Sequence, residues 1–480
     1  MAEHWANLDL HLDVNPDASR LGRSLEDALR AAIRDGRLAP GTRLPSSRAL
    51  AADLGIARNT VGDAFGQLVA EGWLTARTGA GTWVTEMPAP AAAGAAGAAA
   101  AVTVRSAARP PRYDLHPGVP DLSAFPRREW LAASRRALAA APDHTLGYQD
   151  PRGLPGLRAA LAGYLARTRG VTADPDRIVV VGGFNHGLAL LAQAIAARGA
   201  RAVAVESYSL PEHRATLSNC GLRLAPLAAD TDGAIPSGDV LGGAGAALLT
   251  PAHQFPLGMT LAPARRRMFT EWAAGTGAVL IEDDYDGEFR YDRHPVGAMQ
   301  ALAPDHVVYC GTASKALAPG LRLGWLAVPG RLLDEVTEAA RMAGGGPDGV
   351  GQLTLAEFIA SGGYDRQVRH ARLAYRRRRD QLVAALARAA PAARVTGIAA
   401  GLHAIVELPP GRRESDVVMD AERRGLALSG LGLYDAGAGQ RPPALVVGYA
   451  TPPPHAYTTA IARLAATLAT LRPRVAPGRS

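Results

Sequence analysis

Residues 307–325 read VVYCGTASKALAPGLRLGW, an apolar run that ends in Gly-Thr and opens into small and polar residues. Such a run, bounded by glycine, is typical of a buried β-strand. Thr312, Ser314, Lys315 and Arg322 follow the end of the predicted strand. Open α/β sheets bind their ligands at the carboxyl ends of strands. The stretch therefore predicts a sheet domain with a ligand site around Lys315.

Further apolar runs recur from about residue 112 onward, separated by stretches of helical length. They read RIVVVGG, RAVAVES, GAALLTPA and AVLIEDD. This alternation predicts an α/β fold with a mostly parallel central sheet over residues 112–480. A chain of 480 residues is also too long for one ordinary core, so we expect more than one domain.

Lys315 is the single lysine among the 52 lysine and arginine residues of the chain. A bias toward arginine codons accounts for arginine on solvated surfaces, but not for one position that stayed lysine. Lysine forms a Schiff base when its surroundings lower its pKa, whereas arginine stays protonated and cannot. The alternative is chance survival of one surface lysine, and the motifs around Lys315 weigh against it.

Pyridoxal phosphate (PLP) needs a lysine for its aldehyde, an acid for its ring nitrogen, a donor for its ring hydroxyl and a cradle for its phosphate. Asp283 and Tyr285, in AVLIEDDYDGEF, are the candidate acid and hydroxyl donor. VVVGGFNHGLALLAQAI predicts a strand, a glycine turn and a helix whose N-terminus can hold phosphate. The other expected PLP contacts are the amides of Gly183, Phe184 and Asn185 and the side chains of Thr312, Ser314 and Arg322.

This constellation resembles the fold-type I aminotransferases over about residues 112–480. The resemblance implies that His253, in TPAHQFPLG, lies beside the cofactor ring, where that family usually has asparagine. It also implies that Tyr148, in LGYQDPRG, reaches the phosphate bound by the neighbouring subunit, and hence a homodimer.

Two features depart from that family. Leu210 stands where an aromatic residue is common, so the residue that stacks on the ring stays open between Tyr208 and Phe184. Many aminotransferases bind the substrate carboxylate with an arginine near the C-terminus, but the corresponding run PPALVVGYA contains none. Arg441, just before that run, is the candidate substitute, and without it an amino-acid ligand would lose its main bidentate anchor.

The N-terminal region has a different pattern. RSLEDALRAAIRDGRL has the apolar spacing of an amphipathic helix. LPSSRALAADLGIARNTVGDAFGQLVAEGWL then predicts a helix, a glycine turn at 54–56 and a second helix from near Arg58, and WLTARTGAGTWV predicts a β wing. In this arrangement the second helix enters a major groove of DNA.

The start of that second helix presents Arg58, Asn59 and Thr60, which can contact phosphates and base edges. The motifs closely resemble the GntR-type winged helix-turn-helix. By that resemblance the residues that contact double-stranded DNA are Ser46, Arg48, Arg58, Thr60 and Gly79. The alternative is a winged helix that serves protein contacts.

Residues 86–111 are rich in Ala, Gly and Pro and are interpreted as a linker between domains at 1–85 and 112–480. The combination resembles the MocR-type subgroup of GntR regulators, whose members are often head-to-tail dimers. That resemblance implies a transcriptional regulator that binds an operator and senses PLP or a PLP adduct with an amino compound. The rival hypothesis is a working aminotransferase with an autoregulatory DNA-binding head, which the retained Lys315, Asp283 and Tyr285 would permit.

The bulk composition adds weaker constraints. The net charge of +8 suits an anionic partner, although much of the excess lies in a late run from Arg366 to Arg379. Within it, Arg376 to Arg379 are interpreted as a solvated helix face. Cys220 and Cys310 show no metal-ligand spacing and are expected to be buried, reduced thiols. We see neither a signal peptide nor an apolar stretch of about 20 residues, and therefore expect a cytoplasmic protein.

Overall fold

The computed structural model describes residues 21–77, 80–86, 112–291, 296–437 and 441–470. The chain divides into two compact units, Met1–Ala108 and Arg109–Ser480. The expected linker lies outside the described residues except for Glu86, so its extent stays a prediction.

The first unit is built from three helices and a β-hairpin. These are α1 (Leu21–Arg34), α2 (Ser47–Leu54), α3 (Arg58–Ala70), β1 (Leu74–Arg77) and β2 (Gly81–Val84). The apolar face of α1 is buried in the core, as its spacing predicts. Gly55 ends α2 in the left-handed conformation, with φ at 65°, and its amide donates to the carbonyl of Ala51. A residue with a β-carbon is strained at that φ, so glycine suits the turn between α2 and α3.

The second unit alternates strands and helices along the chain. Its helices are α4 (Arg127–Ala140), α5 (Pro155–Arg169), α6 (Phe184–Ala197), α7 (Pro211–Asn219), α8 (Gly238–Leu241), α9 (Pro263–Thr276), α10 (Gly330–Met342), α11 (Gly349–Ala360), α12 (Gly363–Ala389), α13 (Glu414–Arg423) and α14 (Pro454–Ala469). Its strands are β3 (Tyr113–Asp114), β4 (Ile178–Val181), β5 (Ala202–Glu206), β6 (Arg223–Leu227), β7 (Ala229–Asp230), β8 (Gly233–Ala234), β9 (Ala246–Leu249), β10 (Val279–Asp283), β11 (Val307–Thr312), β12 (Gly324–Ala327), β13 (Arg394–Thr396), β14 (His403–Glu407), β15 (Leu426–Ala427), β16 (Ser429–Gly430) and β17 (Ala444–Gly448).

Seven strands form the central sheet of this unit, in the order β4-β12-β11-β10-β9-β5-β6. The pairs from β11 through β6 are parallel, and β12 runs antiparallel to both β11 and β4. Every residue of β9, β10 and β11 is buried, because helices cover the parallel strands. The predicted α/β fold with a mostly parallel sheet is confirmed.

A second, antiparallel sheet has the order β13-β14-β17-β16 and packs its apolar side chains into the same large core as β4 and α12. Its strand β14 begins at His403, which is buried. This sheet brings the later part of the chain to the edge of the central sheet where β5, β10 and β11 end, so both sheets contribute residues to one cleft.

Two expectations from composition need correction. The arginine run lies on α12, where consecutive residues point in different directions around the axis. Arg376 and Arg377 are exposed as expected, but Arg378 is buried and its guanidinium contacts Asp121 at 2.7 Å. Both cysteines are free, and Cys310 is buried, but Cys220 is half-buried.

Candidate functional site

The cleft lies at the carboxyl edge of the central sheet, where β5, β10 and β11 end. Parallel strands bring their carboxyl ends to one edge, so residues far apart in sequence meet there. Asp283 ends β10, and Thr312 ends β11. The structure brings seven of the predicted cofactor contacts into the lining together with Lys315, namely Gly183, Phe184, Asp283, Tyr285, Thr312, Ser314 and Arg322.

Lys315 lies just beyond the end of β11, with its amine inside the cleft. Its Nζ donates a hydrogen bond of 2.5 Å to the carbonyl oxygen of Gly118. Burial lowers the pKa of Lys315, although the carboxylates of Asp283 and Asp286 act in the opposite direction. A lowered pKa increases the neutral, nucleophilic fraction of the amine, as a lysine that bonds a carbonyl carbon requires.

Asp283 is buried, and its Oδ1 atom has no hydrogen-bond partner in the described part of the chain. Burial raises the pKa of this carboxyl well above its usual value, and the charge on Lys315 acts against that rise. An unsatisfied buried polar atom costs about 1–3 kcal/mol, so it calls for an explanation. The protonated ring nitrogen of PLP would supply the missing donor, and on this observation the cleft fits the cofactor.

The predicted phosphate cradle is assembled at the N-terminus of α6. Gly183 precedes the helix with φ at 88°, and a β-carbon there would lie 3.2 Å from Nη1 of Arg322. Arg322 itself has φ at 53°, a left-handed conformation that costs a residue with a β-carbon energy and is found most often at functional sites. Backbone amides, the helix dipole and a guanidinium therefore converge where an anion would be held.

Hydroxyl groups border the same cradle. The Oγ atoms of Thr312 and Ser314 lie 2.8 Å apart, and the Ser314 amide donates to Thr312 Oγ1 at 3.2 Å. Asn185, predicted to contribute its amide, lies in the first turn of α6, but its side chain is exposed and the residue does not line the cleft.

Tyr285 lines the cleft, and its hydroxyl contacts a buried histidine that is paired with a carboxylate. Its hydroxyl lies 3.1 Å from Nδ1 of His253, and that same nitrogen lies 2.8 Å from Oδ2 of Asp286. His253 is thus buried against Tyr285 and Asp286 and does not itself line the cleft. The arrangement orients the Tyr285 hydroxyl, the group predicted to bind the ring hydroxyl of PLP.

Two predicted site residues lie away from the cleft. Tyr148 is fully exposed, and its role toward a neighbouring subunit stays a prediction. Arg441 donates from Nη2 to the carbonyl of Ala229 at 3.4 Å, and its amide donates to the hydroxyl of Tyr208. In the described part of the chain, Arg322 is the arginine that lines the cleft, so the structure offers no second guanidinium there for a ligand carboxylate.

Several cleft residues escaped the sequence reasoning. Glu206 ends β5, and Thr250 donates to its carboxylate from both its amide and its hydroxyl. Burial raises the pKa of Glu206 to about 7. The rule that ligands bind at strand ends could have identified Glu206, whereas His403 and Gly118 arrive from distant segments and carry no local signal.

The stacking residue was left open between Tyr208 and Phe184. Phe184 lines the cleft, but Tyr208 does not; its ring is buried in a cluster with Phe255 and Tyr434. Leu210 lines the cleft with an aliphatic side chain, and His213, three residues further on, lines it with an imidazole.

On the first unit, the predicted DNA contacts lie at the start of α2 and α3. Ser46 caps α2, and its hydroxyl accepts from the amide of Ala49 at 3.2 Å. Arg48, Arg58 and Asn59 are exposed, and Thr60 is half-buried. Gly79 lies outside the described residues.

The hairpin that follows α3 carries a feature that sequence reasoning missed. The guanidinium groups of Arg43 and Arg77 lie 5.8 Å and 5.4 Å from the ring centre of Trp83. Arg43 also donates to the carbonyl of Ala80 at 2.8 Å. These contacts hold two cations against the ring of Trp83 in β2.

Comparison with known proteins agrees with both halves of this description. Residues 115–422 match the family model for aminotransferase class I and II, and residues 21–84 match that for bacterial regulatory proteins of the gntR family. An archaeal alanine:glyoxylate aminotransferase superposes with a TM-score of 0.66 at 24% identity, covering 74% of this chain and 90% of that one. At that identity the likeness shows the fold.

Whole-chain relatives are regulators. The chain is 34% identical over 389 residues to the probable rhizopine catabolism regulatory protein MocR of Rhizobium meliloti, covering 78% of each chain. It is 33% identical over 432 residues to the pyridoxine biosynthesis transcriptional regulator PdxR of Corynebacterium glutamicum, covering 90% of this chain and 92% of that one. The chain therefore belongs to the MocR-type subgroup of GntR-family transcriptional regulators, in which a winged helix-turn-helix is joined to an aminotransferase-like domain with PLP as its cofactor.

Proposed function

We propose that this regulator uses its aminotransferase-like domain as a sensor of PLP, or of a PLP adduct with an amino compound, and that the sensed state alters how a dimer binds its operator. The observation that carries the proposal is the composition of the cleft. Lys315 and the unpartnered Asp283 are retained, while Arg322 is the one arginine in the described lining. Such a cleft holds PLP but lacks the paired guanidinium that would anchor an amino-acid carboxylate.

Each cleft residue has a separate task in this proposal. PLP would supply an electron-withdrawing pyridine ring and an aldehyde. Asp283 would accept a hydrogen bond from the ring nitrogen, and the Gly183 amide with Arg322 would hold the phosphate. Tyr285, oriented by His253, would donate to the ring hydroxyl. Lys315 would present its amine to the aldehyde carbon, and its lowered pKa increases the neutral, nucleophilic fraction of that amine.

The contact between Lys315 and Gly118 suggests how the sensed state is transmitted. Gly118 lies shortly after the expected end of the linker at residue 111, in a segment that Thr451 also holds through the carbonyls of His116 and Val119. Lys315 holds this segment through one hydrogen bond from its amine to the carbonyl oxygen of Gly118. A change in the bonding of that amine therefore changes the restraint on the chain that leads back to the winged helix.

Tyr148 and the DNA contacts complete the proposal. An exposed tyrosine that reaches a neighbouring subunit's phosphate would make the sensor a homodimer, and its two winged helices would read paired half-sites. Ser46, Arg48, Arg58, Asn59, Thr60 and Gly79 are the proposed contacts to the operator. A protein that acts on the chromosome in this way works in the cytoplasm.

The test compares the wild type with Lys315→Ala in a spectrophotometric titration with PLP and in a gel-shift titration of DNA from upstream of its own gene. We expect visible absorption of bound cofactor and a PLP-dependent DNA affinity in the wild type, and loss of both in the variant. Sustained turnover of an amino donor with a keto acid, together with DNA affinity indifferent to PLP, would favour the aminotransferase alternative.

A further inference from the structure

His213 lies in the first turn of α7, and its imidazole lines the same cleft as Lys315 and Asp283. Helix α7 begins at Pro211, shortly after β5 ends, so its first turn lies beside the carboxyl edge of the sheet. No prediction from the sequence included this histidine, because Leu210 and Tyr208 were the residues of this segment considered for contact with the ring.

The imidazole of His213 is held by a second aromatic ring. Its centroid lies 4.6 Å from that of Phe184, with the two ring planes inclined by 46°. Phe184 is the first residue of α6, the helix whose N-terminus faces Arg322. Two rings from different helices therefore form one aromatic wall next to the phosphate cradle, at a distance typical of interacting aromatic pairs.

Neither Tyr208 nor Leu210, the two candidates just before α7, can supply such a wall. Leu210 lines the cleft but has no π system, and the ring of Tyr208 is buried elsewhere. A protonated pyridine ring is electron-poor, so it gains from contact with the face of a neutral aromatic ring. We propose that His213 supplies the aromatic face on which the pyridine ring of PLP rests, with Phe184 fixing the orientation of the imidazole.

The charge state of the imidazole is compatible with this role. Burial, and to a smaller extent the charge of Lys315, lower the pKa of His213 to about 3. The side chain is therefore neutral at physiological pH and does not repel a pyridinium ring. The inference rests on the proposed function only in that the cleft binds PLP.

The experiment measures PLP binding by wild type, His213→Phe, His213→Leu and His213→Asn. Phenylalanine keeps the aromatic face, leucine keeps the apolar volume, and asparagine keeps hydrogen-bonding capacity. An aromatic contact contributes about 0.5–1.5 kcal/mol beyond its buried area, so we expect the Leu and Asn variants to bind PLP about three- to tenfold more weakly. The Phe variant should stay within about twofold of the wild type.

The readouts are the apparent Kd from visible absorption and the circular dichroism induced in the cofactor band, which reports the ring's surroundings. His455→Leu, at an exposed position on α14, is the matched control, and thermal unfolding of the cofactor-free proteins verifies folding. If the Leu variant does not fold, the comparison of Phe with Asn decides the question.

The inference is overturned if the Leu or Asn variant binds PLP as the wild type does, or if the Phe variant is as weak as they are. A wild type that shows no Lys315-dependent absorption would also overturn it, and would refute the cofactor part of the proposed function at the same time. If the wild type binds PLP normally and the His213 variants bind it equally well, the inference is refuted and the proposed function is not.

Discussion

Replacing Asp283 should change two properties in opposite directions, the stability of the cofactor-free protein and its affinity for PLP. The Oδ1 atom of Asp283 is buried without a partner among the described residues, and burial raises the pKa of the carboxyl. Replacing it by asparagine removes the buried charge at almost constant shape. We therefore expect Asp283→Asn to stabilise the cofactor-free protein and, at the same time, to weaken the binding of PLP.

Asparagine keeps an uncharged polar group at the same place, so the stabilisation comes from the removed charge. The cost of burying an unpartnered polar group, about 1–3 kcal/mol and more for a charged one, sets its order of magnitude. For a unit of this length, an unfolding entropy of about 2 cal/mol/K per residue converts that gain into a rise of roughly 1 to 4 °C in melting temperature. PLP affinity should fall about tenfold or more, because an amide does not hold a proton on the ring nitrogen.

The pH dependence has a definite sign. Because the pKa of Asp283 is higher in the folded than in the unfolded protein, the folded state binds more protons above the unfolded value of about 3.9. The wild type then loses stability as pH rises from that value toward the folded pKa. Asparagine does not titrate, so the advantage of the variant should grow with pH over this window.

The assay is thermal unfolding of cofactor-free wild type, Asp283→Asn and the exposed control Asp334→Asn at several pH values, followed by PLP titration of each protein. A variant that is less stable than the wild type without cofactor would refute the idea that Asp283 is kept unsatisfied for a ligand. Unchanged PLP affinity would show that the carboxyl does not contact the ring nitrogen.

Three further predictions test other parts of the account. Gly183→Ala places a β-carbon 3.2 Å from Nη1 of Arg322 at a φ of 88°, so PLP affinity should fall at least about tenfold in an absorption titration, and an unaltered Kd would exclude the cradle. Arg322→Gly relieves the left-handed strain at φ 53°, so it should raise the melting temperature of the cofactor-free protein while weakening PLP binding; a fall in both would contradict the strain argument. Arg58→Ala removes an exposed cation at the start of α3 and should weaken operator binding and reduce the slope of log K against log salt by about 1, whereas an unchanged slope would mean that Arg58 touches no phosphate.

Much of the cofactor cleft followed from local sequence patterns. Lys315, Asp283 and Gly183 each stand next to the end of an apolar run, and the geometry of parallel strands brings such ends together. The helix-turn-helix could be predicted equally well from the sequence, because Gly55 and the apolar spacing of α1 are local signals that tertiary packing reinforces.

The rest depended on contacts between distant segments. Gly118 meets Lys315 across almost two hundred residues of chain, and His403 enters the cleft from a different sheet. Nothing in the run around Arg378 indicates which of its arginines faces the core, since that depends on how α12 packs. Sequence spacing specifies a face of a helix but not its partner.

The orientation of single side chains also could not be predicted from the sequence. Arg441 precedes the expected strand, as the sequence reasoning assumed, yet its guanidinium donates to the carbonyl of Ala229. His253, expected beside the ring, lies next to Tyr285 and contacts Asp286, and its contact with the cofactor stays a prediction. Both outcomes follow from hydrogen-bond partners that only the folded chain supplies.

The most direct test of the central claim is footprinting of the purified wild type on the DNA upstream of its own gene, with and without PLP, with Lys315→Ala in parallel. The account predicts protection of paired half-sites whose strength or extent changes with PLP in the wild type and stays constant in the variant. Specific protection that is identical with and without PLP in the wild type would contradict a cofactor-sensing regulator.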